Sequence, residues 1–517
     1  MKHTTAHTAR FLKGLLIALL AVQTLSFSAF TVEALAWGTP PPPPPPAYLD
    51  DGNEPPANPY LADSPWPMTH RGPYNQASSP WAGLDENDSI DVDYIFGTPG
   101  AITLAYGNAN GAGDRSFWAN TPFYAAKVDP RGEELAYIDQ SSSDLSLDAL
   151  SGAYTVLDKN GVFYAPQGTK LRAFTDATSG KPFSGIVKIA EFQLPASALA
   201  SSSDSLVGLN MTWDGKLAFA TAEGIVGIIN RNFTGLQTIA LGEGEEVSNS
   251  IAVDEDGGIY VVTSKHMHRV QWDGSSLSIA WTADYEVGPE EQVGGRLGAG
   301  SGATPSLMGT GNQDKFVVIT DGEALMNLVL FWRDEIPADW QPIAPGKDRR
   351  IAAEVPVTFG DPSATTSVSE QSVLVRGYGA MVVNNDYGFD LPKWLPDLFN
   401  QLLVALTNLP EYAPYGAEKF VWNPATRKLN SAWANPSVSC PNGIPTMSTA
   451  TNLAYCIGQR STKWTLEGID WDTGASVFHK NLGYLPRYNS AYAATEIGPN
   501  REIVSGTFTG IIRLQPE

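Results

Sequence analysis

A chain of 517 residues with 43% hydrophobic and 17% charged residues has the apolar content for a sizeable core, and its 49 glycines suit strands and tight turns better than surface helices. A net charge of −22 repels polyanions, which argues against direct nucleic-acid binding. Two cysteines, Cys440 and Cys456, are too few for a four-cysteine zinc site, and no CxxCH is present to attach a c-type haem.

The N-terminus has the make-up of an export signal. Lys2, Arg10 and Lys13 precede a largely apolar stretch over residues 15–30, and Ala34-Leu35-Ala36 offers a small-x-small cleavage site. Residues 1–36 are therefore expected to be a signal peptide and the mature protein periplasmic or secreted; an uncleaved anchor is the competing reading. No cysteine follows the apolar stretch to carry a lipid, and no later run is long and apolar enough to span a bilayer, so no stable transmembrane segment is expected after cleavage. Residues 37–64 form a linker. Its proline run, 40–46, favours an extended polyproline spacer, with a proline-recognition ligand as the alternative.

Residues 65–517 repeat one grammar. Its clearest statement is NSIAVDEDGGIYVVTSKHMHRVQWDG, residues 249–274: a short apolar strand, an Asp/Gly turn, a β-branched and aromatic strand, then an alternating strand closed by Asp273-Gly274. Similar units follow the turns Lys159-Asn160-Gly161, Trp213-Asp214-Gly215 and Asp472-Thr473-Gly474. With the regions near 94–138, 304–332, 372–433 and 489–514, about seven or eight units are expected. The fold expected is all-β, a seven- or eight-bladed β-propeller, in which closing the ring removes open sheet edges.

Several phrases carry a family resemblance. The W-P-M-x-x-R start at Trp66, GSGATPSL at 300–307 and GIDWDTGASVFH at 468–479 resemble the quinoprotein-like (PQQ-binding-like) propeller superfamily, and NSIAVDEDGGIYV resembles a phrase of gluconolactonase-like propellers. The first resemblance implies a propeller over most of 66–514. The quinone enzymes of that superfamily clamp their cofactor with two adjacent cysteines and a Trp beside Ca²⁺; Cys440 and Cys456 are not adjacent, so that clamp is missing. The second resemblance implies an axial metal held by Asn and Asp side chains, with Asn249 placed like one of them.

One segment departs from the strand grammar. Residues 391–415, LPKWLPDLFNQLLVALTNLPEYAPY, place leucines at helical spacing between Pro396 and Pro410, and a short helical insertion is expected there, packed on the ring or serving as a lid. Just before it, Asn384, Asn385 and Asp386 carry the oxygen donors that a hard cation such as Ca²⁺ prefers; they also suit a plain turn. Asn249, Asn384, Asn385 and Asp386 are the candidate metal ligands. His266 and His268, two apart on a strand, share a face and have the spacing for a transition metal; solvent-facing polar positions are the other reading, and His70 and His479 are the distant histidines that a ring could bring back to them. Asp254-Glu255-Asp256-Gly257 lacks the downstream glutamate of a calcium loop and reads as a turn. In an exported protein Cys440 and Cys456 are expected to form one disulfide, closing a loop that contributes about 3 kcal/mol. The function expected is an exported binding or scaffold propeller with a small-molecule or protein partner on one face. The alternatives are a Ca²⁺-dependent lactonase- or esterase-like enzyme and an atypical quinoprotein oxidoreductase.

Overall fold

The computed structural model describes residues 54–97, 103–121, 124–132, 135–139, 154–288, 300–387 and 404–517, all within the compact unit Pro44–Glu517. The expected signal peptide at 1–36, and the expected linker up to residue 53, lie outside the described residues. Among these residues no helix is long and apolar enough to cross a membrane.

Among the described residues eight antiparallel sheets, each built on four strands, follow one another along the chain. We number these blades 1 to 8, at residues 104–139, 156–193, 206–240, 252–284, 306–356, 374–435, 446–483 and 495–516. Seven are simple meanders. Blade 8 takes three strands from the C-terminus and its outermost from the N-terminal side: Ile90–Phe96 pairs antiparallel with Gly510–Pro516, Ile90 opposite Pro516 and Phe96 opposite Gly510. That pairing closes the ring by joining the two ends of the chain in one blade.

The residues explain the strands. In blade 4, Val253 leads into a turn in which Asp254 Oδ1 accepts the N–H groups of Asp256 and Gly258 at 3.1 and 2.7 Å. Gly257 takes φ +81° there, where a side chain would collide with the Trp272 carbonyl. Second strands such as Gly258–Val262 and Phe316–Thr320 are buried throughout because both faces meet neighbouring blades, which is why they read as unbroken β-branched and aromatic runs. Outer strands such as Ile186–Gln193 are largely exposed and mixed in polarity. Apolar clusters fill the gaps between blades; Phe316 and Trp332 of blade 5, for example, meet Trp422 of blade 6 at ring centroids 4.7 and 5.9 Å apart.

The segment that opens the family resemblance is not a blade strand. Residues 66–79 circle the inside of the ring and accept hydrogen bonds from one inner strand after another. Trp66 C=O accepts from Tyr106 N–H, Pro67 from Leu157, Pro73 from Val253, Tyr74 from Leu307, Gln76 from Val375 and Ala77 from Met447, at 2.8–3.0 Å. The Asn210 side chain of blade 3 joins at the Pro73 carbonyl, and Ser78–Ser79 ends the path as a fifth, parallel strand on blade 7. Bending a strap this tightly takes left-handed backbone at His70, Arg71, Asn75 and Ala77, with φ between 51° and 74°. The lacing bonds hold those residues in place.

The expected helical insertion at 391–415 is overturned. Among the described residues there are only short 3₁₀ turns and no α-helix; in this region Val404–Leu406 is one such turn, while residues 388–403 lie outside the described residues. The reason lies at Val404. In a helix its carbonyl would accept the N–H of Asn408, but here it is taken by Thr407 Oγ1 and by the amides of Asn442 and Asn489, at 2.9, 3.1 and 2.8 Å. The N–H groups of Leu409 and Tyr412 reach back three residues, to Leu406 and Leu409, and the chain runs on as turns to the strand Ala417–Asn423. A short apolar stretch cannot carry the nucleation cost of a helix against such competition.

Candidate metal centre

His266 and His268 begin the third strand of blade 4, His266–Trp272, and the two-residue repeat puts both on one face. The register with the outermost strand, Leu277–Asp284, sets Asp284 opposite His266 and Thr282 opposite His268. The third member comes from another part of the chain. Glu245 lies in the connection from blade 3 to blade 4, held close by Leu241 N–H to Gly224 C=O and Val247 N–H to Ala222 C=O, both 2.9 Å. Gly224, at φ +80°, lets this connection pass: a side chain there would meet the Glu245 carbonyl.

One donor atom from each of Glu245, His266 and His268 lies within 4.8 Å of the others. His266 Nδ1 is 2.6 Å from Glu245 Oε1, and His268 Nε2 is 3.4 Å from Glu245 Oε2. The outward nitrogens are held as well. Thr282 Oγ1 sits 3.0 Å from His268 Nδ1, and Asp284 Oδ1 lies 3.4 Å from His266 Nε2. Thr263 Oγ1 donates to Glu245 Oε2 at 2.5 Å. Glu245 and His268 are buried and His266 is partly exposed, so the group is open to solvent on one side. Burial pushes the His268 pKa down, with Glu245 opposing. Burial also pushes Glu245 up, but hydrogen bonds from Thr263 and His266 outweigh it and leave the carboxyl below its usual value. The cluster is thus poised as a carboxylate beside a neutral imidazole, the protonation states that metal binding requires.

A metal-chelating cluster is therefore present, with nitrogen donors beside a carboxylate. Such a set suits borderline divalent ions of the Zn²⁺ type, as in the two-histidine, one-glutamate sites that keep a position open. The histidine spacing was readable from the chain; Glu245, 21 residues upstream in the acidic run EGEE, was not singled out by any local signal. Neither His70 nor His479 joins the pair: His70 lies inside the ring against Ser372, and His479 is exposed on the outer strand of blade 7.

The asparagines among the other candidate ligands are engaged with their own neighbours. Asn249 Nδ2 bonds Ser248 Oγ and the Ser301 carbonyl. Asn384 donates to Tyr415 C=O, and its Oδ1 accepts Asp386 N–H. Asn385, fully buried, accepts Glu370 N–H at 2.9 Å and donates to Pro441 C=O at 2.6 Å. Asp254 serves its own turn and accepts the Tyr260 hydroxyl at 2.6 Å. Cys440 and Cys456 form the expected disulfide, joining the approach to blade 7 with its second strand.

The chain is 46% identical over 466 residues, 89% of each sequence, to a protein of Archaeoglobus fulgidus described as uncharacterized. No protein-family model matches it. Among solved structures it is weakly similar to a europium-containing methanol dehydrogenase, at a TM-score of 0.49 and 11% identity over 87% of this chain and 98% of that one. A streptogramin B lyase, at 0.39 and 9%, covers 83% of this chain and 98% of its own, and BamB from Moraxella catarrhalis, at 0.36 and 8%, covers 71% and 99%.

Proposed function

The chain belongs to one family with the Archaeoglobus fulgidus protein, and we propose that it is an exported binding propeller whose ligand is a divalent transition-metal ion held by Glu245, His266 and His268. The observation that carries this reading is the state of the four ring nitrogens. Thr282 and Asp284 take one nitrogen of each imidazole, and the other nitrogen of each faces Glu245. Outer-nitrogen partners of this kind fix the tautomer and aim of metal-ligating histidines. The His268 Nε2 atom is buried without a hydrogen bond, a loss that a bound cation would make good. Three protein donors leave room for water or a partner's donor on the exposed side.

The axial Ca²⁺ enzyme has less support, because Asn385 is spent on backbone groups at both ends of its amide. The quinoprotein reading lacks the adjacent cysteines, since Cys440 and Cys456 are separated by 16 positions in the chain.

Titration of chelator-stripped protein with Zn²⁺, and separately with Ca²⁺, tests the proposal. One Zn²⁺ per chain is expected, with Ca²⁺ a poor competitor. The substitutions Glu245→Gln and His268→Gln should each weaken Zn²⁺ by roughly ten-fold or more. Zn²⁺ binding unchanged in both variants, or no binding by the wild-type chain, would overturn the assignment.

A further inference from the structure

Three asparagines begin the tripeptide Asn-x-Ser/Thr, the acceptor pattern for N-glycosylation of exported chains: Asn87-Asp88-Ser89, Asn210-Met211-Thr212 and Asn232-Phe233-Thr234. The tripeptide is short enough to arise by chance, and the fold sorts the three.

Asn210 lies on the innermost strand of blade 3, Leu206–Met211, and is fully buried. Its amide donates to the carbonyls of Pro73 and Ile251 at 3.2 and 2.8 Å, and its Oδ1 accepts Met211 N–H at 2.7 Å. Once the strap is in place no enzyme reaches this side chain.

Asn232 stands at the tip of the hairpin between the third and fourth strands of blade 3, Ile225–Asn230 and Gln237–Ala240, and is exposed. The tip is held from inside. Phe233 is buried, at φ 61°, with its ring centroid 6.1 Å from those of Tyr164 and Phe192. The Thr234 hydroxyl donates to Asn232 Oδ1 at 2.7 Å and accepts from Asn230 Nδ2 at 3.1 Å. The carboxamide is thus held by its oxygen, and among the described residues its Nδ2 is not engaged.

Asn87 lies in the loop 85–89, just before the outermost strand of blade 8. Arg501 pairs with Asp85 and Asp88, Lys480 donates to the carbonyls of Glu86 and Asp88, and Asp85 Oδ1 accepts Asn87 N–H. The side chains of Asn87 and Ser89 take no part in these bonds, and both residues are exposed.

The two exposed sites share a face. The Asn232 hairpin joins third and fourth strands, and Ile90, which follows the Asn87 loop, is opposite Pro516 at the C-terminal end of the third strand of blade 8. The metal cluster lies instead by the turn between second and third strands of blade 4. In a meander those two kinds of turn fall at opposite ends of the strands, so a bulky group on Asn87 or Asn232 leaves the metal face bare.

We propose that Asn232 and Asn87 are N-glycosylation sites, each taking an oligosaccharide from a lipid-phosphate-linked donor; this rests on the reading of the chain as exported. Nδ2 forms a bond to the anomeric carbon of the sugar, the bond from that carbon to the phosphate oxygen breaks, the phosphate leaves with the electron pair, and one amide hydrogen departs as a proton. An amide nitrogen is a weak nucleophile because resonance draws its lone pair into the carbonyl. Transfer therefore needs an enzyme with access to the whole tripeptide, which positions 87 and 232 offer and position 210 does not. The sugars would add bulk and solubility to the face away from the metal.

Peptide mapping by mass spectrometry, on the chain purified from the cells that make it, tests the proposal, and the cell fraction that yields the chain reports export separately. The peptides containing Asn232 and Asn87 should each carry the added mass of an oligosaccharide, and the peptide containing Asn210 should not. Thr234→Val and Ser89→Ala, made in the same cells, should each lose the addition at their own site and keep it at the other. Either assignment is overturned if its asparagine is bare in chain recovered outside the cytoplasmic membrane, or keeps its sugar when the hydroxyl is removed. Sugar on Asn210 overturns the sorting by the fold. Chain found wholly in the cytoplasm and bare at both positions overturns the export reading, and this proposal with it.

Discussion

Lowering the pH should destabilise this protein through His70. The unfolded chain protonates this imidazole near 6.5, while the folded protein resists until about 4, because the ring is buried inside the strap with no carboxylate beside it to favour the charge. Between those values the unfolded state binds a proton that the folded state does not, so stability falls as pH falls. At 1.36 kcal/mol for each pH unit, the full loss through this residue is about 3 kcal/mol by pH 4 and is nil above about pH 7.5. Other groups titrate in the same range, so the informative quantity is a difference. His70→Gln keeps a polar group for Ser372 and cannot protonate. Urea unfolding of both proteins at several pH values, free of metal, should show the wild type's advantage over His70→Gln shrinking by about 3 kcal/mol between pH 7.5 and pH 4. A constant advantage across that range would refute the reasoning, since it would mean that His70 takes up its proton in the folded state without penalty.

Two further outcomes follow from buried groups elsewhere. Glu496 is fully buried, accepts Leu104 N–H at 3.0 Å and has its pKa raised well above the usual carboxylate value by burial. Its contribution is therefore present at low pH and lost as pH rises past the unfolded value, the opposite sense to His70, and Glu496→Gln should match wild type near pH 4 but gain stability relative to it at pH 8 in the same urea series. Replacing Cys440 and Cys456 together by Ala opens a loop whose closure is worth about 3 kcal/mol, and the urea midpoint at pH 7 should fall accordingly; an unchanged midpoint would show that blade 7 holds the two segments together without the bond.

The parts of the fold legible in the chain were those built from neighbours in sequence. Asp254 closes its turn with the N–H groups of residues two and four positions on, and Ile259 to Val262 pair with strands that arrive within twenty residues. Such a unit announces itself through turn residues and β-branched runs. What escaped was long-range. Blade 8 borrows Ile90–Phe96 across more than four hundred residues, so the number of blades could be read only as seven or eight. The strap from Trp66 to Ser79 bonds inner strands of blades spread over the whole chain, and because each contact involves a different strand it leaves no period to detect.

The misread helix and the half-read metal cluster share one cause, and it bears on where function sits. The leucines of 398–406 have helical spacing, yet Val404 C=O is claimed by Asn442 and Asn489, which come from the connections into blades 7 and 8. The histidines of blade 4 have the alternation of a strand face, yet what makes them a candidate centre is Glu245, from the connection into that blade. In each case a connecting segment supplied the polar group that decided the outcome. A propeller fixes its strands by local pattern and brings its connections together only by closing the ring. Side chains on connections are therefore where groups distant in sequence meet, and where a ligand can be met by donors that no single stretch of the chain displays. His70 and Ser372 obey the same logic: they are 302 residues apart, and only the strap's circuit inside the ring places the imidazole beside the hydroxyl.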